Sequence, residues 1–196
     1  MNLLAHLYLS GGDTGLMIGN FIADRVKGKA YKTYPQGISR GILLHRKIDH
    51  YTDNHPIVQG LRKQLHPEHG KCAGIIVDLF YDYFLANTWT MHSNHALGTF
   101  IASAYQTLNQ NREVMPAPCQ AMLSAMIRHD WLSEYATVKG IRQSLMGIER
   151  RTSFPWPLAS ATDRLMLPET REWESNFLEF FKELQMEVRL SIDQSG

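Results

Sequence analysis

Three pairs of residues able to ligate a divalent cation sit four positions apart in the first half of the chain: Asn20 with Asp24, His45 with Asp49, and Asp78 with Asp82. Each pair falls in a stretch of helical periodicity. Residues at i and i+4 share a helix face, so each pair directs two donor atoms one way. Three helices facing one another through such pairs would gather oxygen and nitrogen donors inside a bundle. That donor set suits a hard or borderline divalent metal, and the chemistry it serves is metal-assisted hydrolysis.

Asp78 and Asp82 carry the strongest signal. They interrupt an almost continuously apolar run, Ile75, Ile76, Val77, Leu79, Phe80, Phe84 and Leu85. A carboxylate there costs several kcal/mol unless it is paired, coordinated or neutralised. A bound cation relieves that cost, and an Arg or Lys from a neighbouring helix would also do so. His45 and Asp49 lie in GILLHRKIDHYTD, with Arg46 directed away from them. Asp24, with Asn20 in GNFIADRVKG, reads either as a ligand at the core edge or as half of a surface ion pair with Arg25 or Lys27. Asn20 reads equally as a hydrogen-bonding residue behind the ligands. His6 sits in an apolar N-terminal run and reads as a core histidine. Asp53, just before His55-Pro56, reads as a helix cap. Arg150 and Arg151 offer planar forks for phosphate or compensate a helix C-terminus. His129-Asp130 is an adjacent pair whose side chains diverge by about 100° on a helix, so it reads as coincidental.

The elements that must position these residues are helices. Apolar spacing marks them at Leu16–Lys27, Pro35–His50, a shorter helix after Pro56 towards Leu65, and Cys72–Trp89. Further helices are expected near Ala96–Leu108, Pro118–Tyr135, Val138–Arg150, Leu158–Leu167 and Glu169–Val188, with His66-Pro67-Glu68-His69-Gly70 as a loop. Strand signals, repeats and long linkers are missing. The expectation is an all-α bundle in a single domain spanning residues 1–196.

Composition agrees with that. The chain has 196 residues, 44% hydrophobic and 20% charged, ordinary values for a globular domain. Cys72 and Cys119 are too few for a disulfide framework, and they read as core thiols of a cytoplasmic protein. No apolar run is long enough for a bilayer. The net charge of +1 is uneven. Asn20 to Lys71 holds ten Lys and Arg against four acids, and Pro168 to Gly196 holds three bases against seven acids. The basic stretch overlaps the proposed metal site and would attract an acidic partner or polyanionic substrate.

Taken together, MNLLAHLYLSG, GNFIADRVKGK, GILLHRKIDHYTDNHP and VDLFYDYFLANTW resemble, in order and spacing, the acyl carrier protein phosphodiesterase family. WLSEY, GIERR and NFLEFFKEL continue the likeness more loosely. That family is similar to a divergent branch of the all-helical HD-type metal phosphohydrolases. The resemblance implies hydrolysis of the phosphodiester that joins 4′-phosphopantetheine to a serine of holo-acyl carrier protein, with Mn2+ as the metal and Mg2+ or Fe2+ also suited. It places the family's histidine and aspartates on His6, Asp24, His45, Asp49, Asp78 and Asp82. The expected ligands are the last five of these, with Arg46 or Arg25 neutralising a phosphoryl oxygen. Arg25, Lys29, Lys32, Arg150 and Arg151 would bind substrate. His6, Asn20, Asp53 and Tyr83 would support the ligands from behind. Tyr83 stands where the family commonly has a histidine. The partner implied is an acidic carrier protein, with neither nucleic acid nor membrane involved. Two other readings fit the same residues: an HD-type hydrolase of a nucleotide or other small phosphoester, and a non-catalytic helical protein that binds acyl carrier protein.

Overall fold

The computed structural model describes residues 1–152 and 156–193, and among them every regular element is helical. Ten α-helices follow in order: α1 Leu3–Tyr8, α2 Thr14–Ile22, α3 Gln36–Asn54, α4 Pro56–His69, α5 Ala73–Asn87, α6 Leu97–Gln110, α7 Ala117–His129, α8 Trp131–Glu134, α9 Val138–Glu149 and α10 Thr170–Asp193. Short 3-10 turns join several of them, including Ala23–Arg25, Ala30–Thr33 and Ala159–Met166. The all-helical bundle expected from the periodicity is the architecture observed.

The apolar run of α5 explains its place at the centre. Ile76, Val77, Leu79, Phe80, Phe84 and Leu85 are all buried. Its aromatic side meets α10, where Phe177 and Phe181 stack with ring centroids 5.2 Å apart and Tyr81 lies 5.3 Å from Phe180. Cys72 and Cys119 are buried free thiols.

Two helices that carry the site approach unusually closely. Gly15 and Gly19 of α2 lie against Gly37 and Gly41 of α3. A Cβ on Gly41 would fall 2.5 Å from the Leu16 carbonyl oxygen, and one on Gly15 2.8 Å from the Cα of Gly37. Only glycine allows that backbone approach. It brings the end of α2 within reach of the middle of α3.

Several boundaries differ from the expectation. α2 ends at Ile22 rather than Lys27, and the chain tightens into a 3-10 turn at Ala23–Arg25. α3 runs on to Asn54, and His55 caps α4 by accepting from the Ile57 amide at 3.3 Å. The residues His66 to His69 are helical, not a loop. Pro67 sits on the exposed side of α4, where a carbonyl left without an amide partner can turn to water. The helix expected over residues 118–135 breaks at Asp130, whose φ of 44° is left-handed. The segment after Leu158 is 3-10, and α10 extends to Asp193.

Candidate metal centre

α1, α2 and α3 converge on a cluster of His6, His45 and Asp49, with one ligating atom from each lying within 4.8 Å of the others. The His6 and His45 rings stack at 4.0 Å with an interplanar angle of 18°. Both histidines are buried, and the Asp49 side chain is 40% exposed.

A chain of hydrogen bonds fixes which nitrogen of His6 faces Asp49. The Ser10 hydroxyl donates to the His6 carbonyl at 2.9 Å, since a carbonyl can only accept. The Ser10 oxygen therefore accepts from the Asn20 amide nitrogen, also 2.9 Å away. That orients the Asn20 oxygen at His6 Nδ1, 3.1 Å away, so Nδ1 carries the proton. Burial, followed by repulsion from His45, lowers the His6 pKa and keeps the ring neutral. Neutral His6 thus presents the Nε2 lone pair to Asp49 Oδ1 at 3.1 Å. Two electron-rich atoms face each other at contact distance, an arrangement that a cation between them resolves.

His45 Nε2 lies 3.0 Å from Asp49 Oδ2 and 3.4 Å from Asp24 Oδ1. Burial opposes its charge, but hydrogen bonds to Asp24 and Asp49 outweigh that and raise its pKa to about 9. Burial likewise opposes ionisation of Asp49, and the hydrogen bond and positive charge of His45 overcome it and hold its pKa well below the usual carboxylate range. The His45 hydrogen bond also lowers the pKa of Asp24, which is 83% exposed at the mouth. His45 Nδ1 is buried without a partner. Two imidazoles and a carboxylate at this spacing have the capacity to hold a divalent cation.

Asp78 and Asp82 do share a face of α5, but the N-terminal segment occupies it. Asp82 is fully buried and accepts from the Leu4 and Ala5 amides at 2.8 and 3.2 Å. It serves the unpaired amides at the start of α1, and burial raises its pKa to about 7. Asp78 lies 3.0 Å from the Met1 amino group and 4.0 Å from Arg62. Neither joins the triad. Arg62, on α4, is the neighbouring-helix cation that stood as the alternative to a metal for Asp78, whereas the partners of Asp82 are backbone amides.

The remaining candidates separate clearly. Arg46 turns its guanidinium away and donates to the Gly28 and Val26 carbonyls at 2.9 and 2.8 Å, bracing that loop. Asp53 is not a cap, because it lies inside α3 and His55 caps α4; it pairs with Arg62 at 2.6 Å. Tyr83 does not line the site. Its ring packs edge-on against Phe84, and the charge of Glu174, on α10, adds to burial in raising its pKa. Lys29, Lys32 and Arg150 are exposed. His6 is the residue that spacing missed, since its partners Asn20 and Asp49 lie 14 and 43 positions away.

The triad opens into a cleft of about 750 Å³. Arg25, Lys27 and Arg151 line it together with Asp24, Asp53 and Asp78, and its far side is formed by α7 to α9. A profile of the acyl carrier protein phosphodiesterase family matches residues 1–184. The chain belongs to the acyl carrier protein phosphodiesterase family. The acyl carrier protein phosphodiesterase of Yersinia pestis is 32% identical over 152 residues, 77% of this chain and 79% of that protein. Those of Photorhabdus laumondii and Serratia proteamaculans are also 32% identical over 152 residues, 77% of this chain in each case and 77% and 79% of theirs. No solved structure matches the chain. An acyl carrier protein phosphodiesterase relationship and a clustered histidine–histidine–aspartate set together support a hydrolase, consistent with a divergent HD-like one. Among the described residues no helix is long and apolar enough to cross a membrane.

Proposed function

We propose that this protein is a metal-dependent phosphodiesterase that removes 4′-phosphopantetheine from holo-acyl carrier protein. The observation that carries the reading is the His6 Nε2 lone pair facing the Asp49 carboxylate at 3.1 Å, in a chain of this family. His6, His45 and Asp49 would hold the cation, with Asp24 the exposed carboxylate beside them. Mn2+ is the favoured ion, and Mg2+ or Fe2+ would also suit the donors. When bound, the metal supplies Lewis acidity, activating water and stabilising charge on the phosphodiester oxygens.

The chain's own residues do the rest. Asn20 holds His6 in one tautomer. Asp24, ionised and exposed beside His45, orients water on the open side of the triad. Arg25, Lys27 and Arg151 counter the phosphoryl charge within the cleft. Lys29 and Lys32, in the basic stretch outside it, dock an acidic carrier protein whose tethered arm enters the cleft.

The test compares hydrolysis of holo-carrier protein with that of nucleotide phosphoesters, with Mn2+ and with a chelator. Preference for the carrier that vanishes with chelation supports the reading. Preference for nucleotides would assign the site to a different phosphoester hydrolase, and no turnover of either would leave a carrier-binding protein.

A further inference from the structure

The cleft is far larger than a cation and a phosphate require. Its volume of about 750 Å³ extends from the triad along α9, where Gly140, Gln143, Ser144, Gly147, Ile148 and Arg151 line it. From Gly140 to Ile148 these positions repeat at helical spacing and form one face about 12 Å long, with Arg151 just past the helix end.

That face is open rather than packed near its C-terminal end. A Cβ on Gly147 would meet no atom within 4 Å, whereas one on Gly140 would press on the Glu134 backbone, 2.6 Å from its carbonyl carbon. Gly140 is therefore a packing glycine and Gly147 is not. A glycine inside a helix costs about 1 kcal/mol relative to alanine, and here no close approach repays it. What Gly147 preserves is space in the cleft.

The α7–α8 junction lines the same cleft. Asp130 adopts a left-handed backbone there, with φ 44°, the one such non-glycine among the described residues. Non-glycine residues accept that conformation where surrounding structure imposes it, often beside ligand sites. The turn places Trp131 and Tyr135 on the cleft, joined by Met122 of α7. Rings and a thioether thus line the cleft together with an amide and a hydroxyl, Gln143 and Ser144. The lining combines apolar surface with groups that hydrogen-bond amides.

We infer that the α7–α9 wall is a track for an extended chain of alternating amide and apolar groups leading away from the phosphodiester, and that Gly147 sets its width. The inference rests on the phosphodiesterase reading and adds the part of the substrate beyond the phosphate. Gln143 and Ser144 pair with the chain's amides, and Trp131 covers its apolar segments.

Gly147→Leu tests this directly. The substitution fills open space and improves helix propensity, so the fold should persist with an unchanged or higher melting temperature. Calorimetry with Mn2+ present would measure binding of 4′-phosphopantetheine and of inorganic phosphate. The leucine should weaken 4′-phosphopantetheine about tenfold or more and leave phosphate within about twofold. Gln143→Ala should weaken the same ligand about threefold to tenfold. Equal affinities of parent and Gly147→Leu for 4′-phosphopantetheine would overturn the track. So would a parent that binds it no better than phosphate, or equal losses on both ligands. Hydrolysis of holo-carrier by the parent is scored separately, so failure of the reaction and failure of the track are distinct results.

Discussion

Asn20 Oδ1 lies 3.1 Å from His6 Nδ1, and this contact turns the lone pair of His6 towards Asp49. Asn20 is itself oriented by Ser10, whose hydroxyl is committed to the His6 carbonyl. A residue outside the triad thus decides how His6 presents its free nitrogen to it.

Asn20→Leu removes that control while keeping size. Metal affinity should fall about 10- to 100-fold, the usual effect of losing the partner of a ligating histidine. Ser10→Ala, one bond further out, should cost less. Mn2+ titrations of the three proteins measure this, and equal affinities would show that His6 is oriented by something else.

The pH dependence follows from His45. In the metal-free protein its pKa is raised from 6.5 to about 9. Its stabilising contribution is complete below pH 6.5 and is lost as pH rises through about 9. The depressed pKa of Asp49 contributes stability above its unfolded value of 3.8, lost only as pH falls. Asp82, raised to about 7, keeps its proton in the folded state after the unfolded chain has released it, so it too removes stability as pH rises from about 4 to 7. The lowered pKa values of His6, His69 and His92 act oppositely below about pH 6.5, so the metal-free melting temperature should decline from about pH 6.5 to pH 9. A cation must displace the His45 proton, so apparent metal affinity should climb about tenfold per pH unit across the neutral range and level off near pH 9. Thermal melts with and without Mn2+ give both quantities, and a metal-induced shift independent of pH would contradict the assignment of His45.

Asp82 and Asp49 separate scaffold from site. Asp82→Ala leaves the Leu4 and Ala5 amides buried without acceptors, and should cost about 2 kcal/mol of stability. Its effect on metal affinity should be smaller than that of Asp49→Ala, because it acts by loosening α1 beneath His6. Chemical denaturation paired with metal titration distinguishes the two. A larger metal defect in Asp82→Ala would return Asp82 to the ligand set.

The helices were legible because their apolar spacing is local information. α5 was the clearest, since few registers bury Ile76, Phe80 and Phe84 together. What local spacing could not show was which neighbour would fill a face. Asp78 and Asp82 point the same way, as the i, i+4 rule requires, yet the occupant of that face comes from the first five residues of the chain. His6 was obscure for the same reason, since its partners arrive from α2 and α3 through a glycine-mediated approach that composition does not reveal. Arg46 looked well placed beside His45, but adjacent helical residues diverge, and its guanidinium found the Val26 and Gly28 carbonyls instead.

Docking rests on charge outside the cleft. Lys29→Glu with Lys32→Glu should raise KM for holo-carrier and flatten its salt dependence, with activity on a small phosphodiester little changed. Steady-state kinetics on the two substrates at several ionic strengths provide the comparison. Equal losses on both would point to a different docking face.

The central claim is tested most directly by mass spectrometry of holo-acyl carrier protein after incubation with the protein and Mn2+. The account predicts apo-carrier protein together with free 4′-phosphopantetheine, formed by the parent and abolished in His45→Ala, Asp49→Ala or chelated samples. A carrier protein that keeps its prosthetic arm in the presence of metal-loaded parent would contradict it.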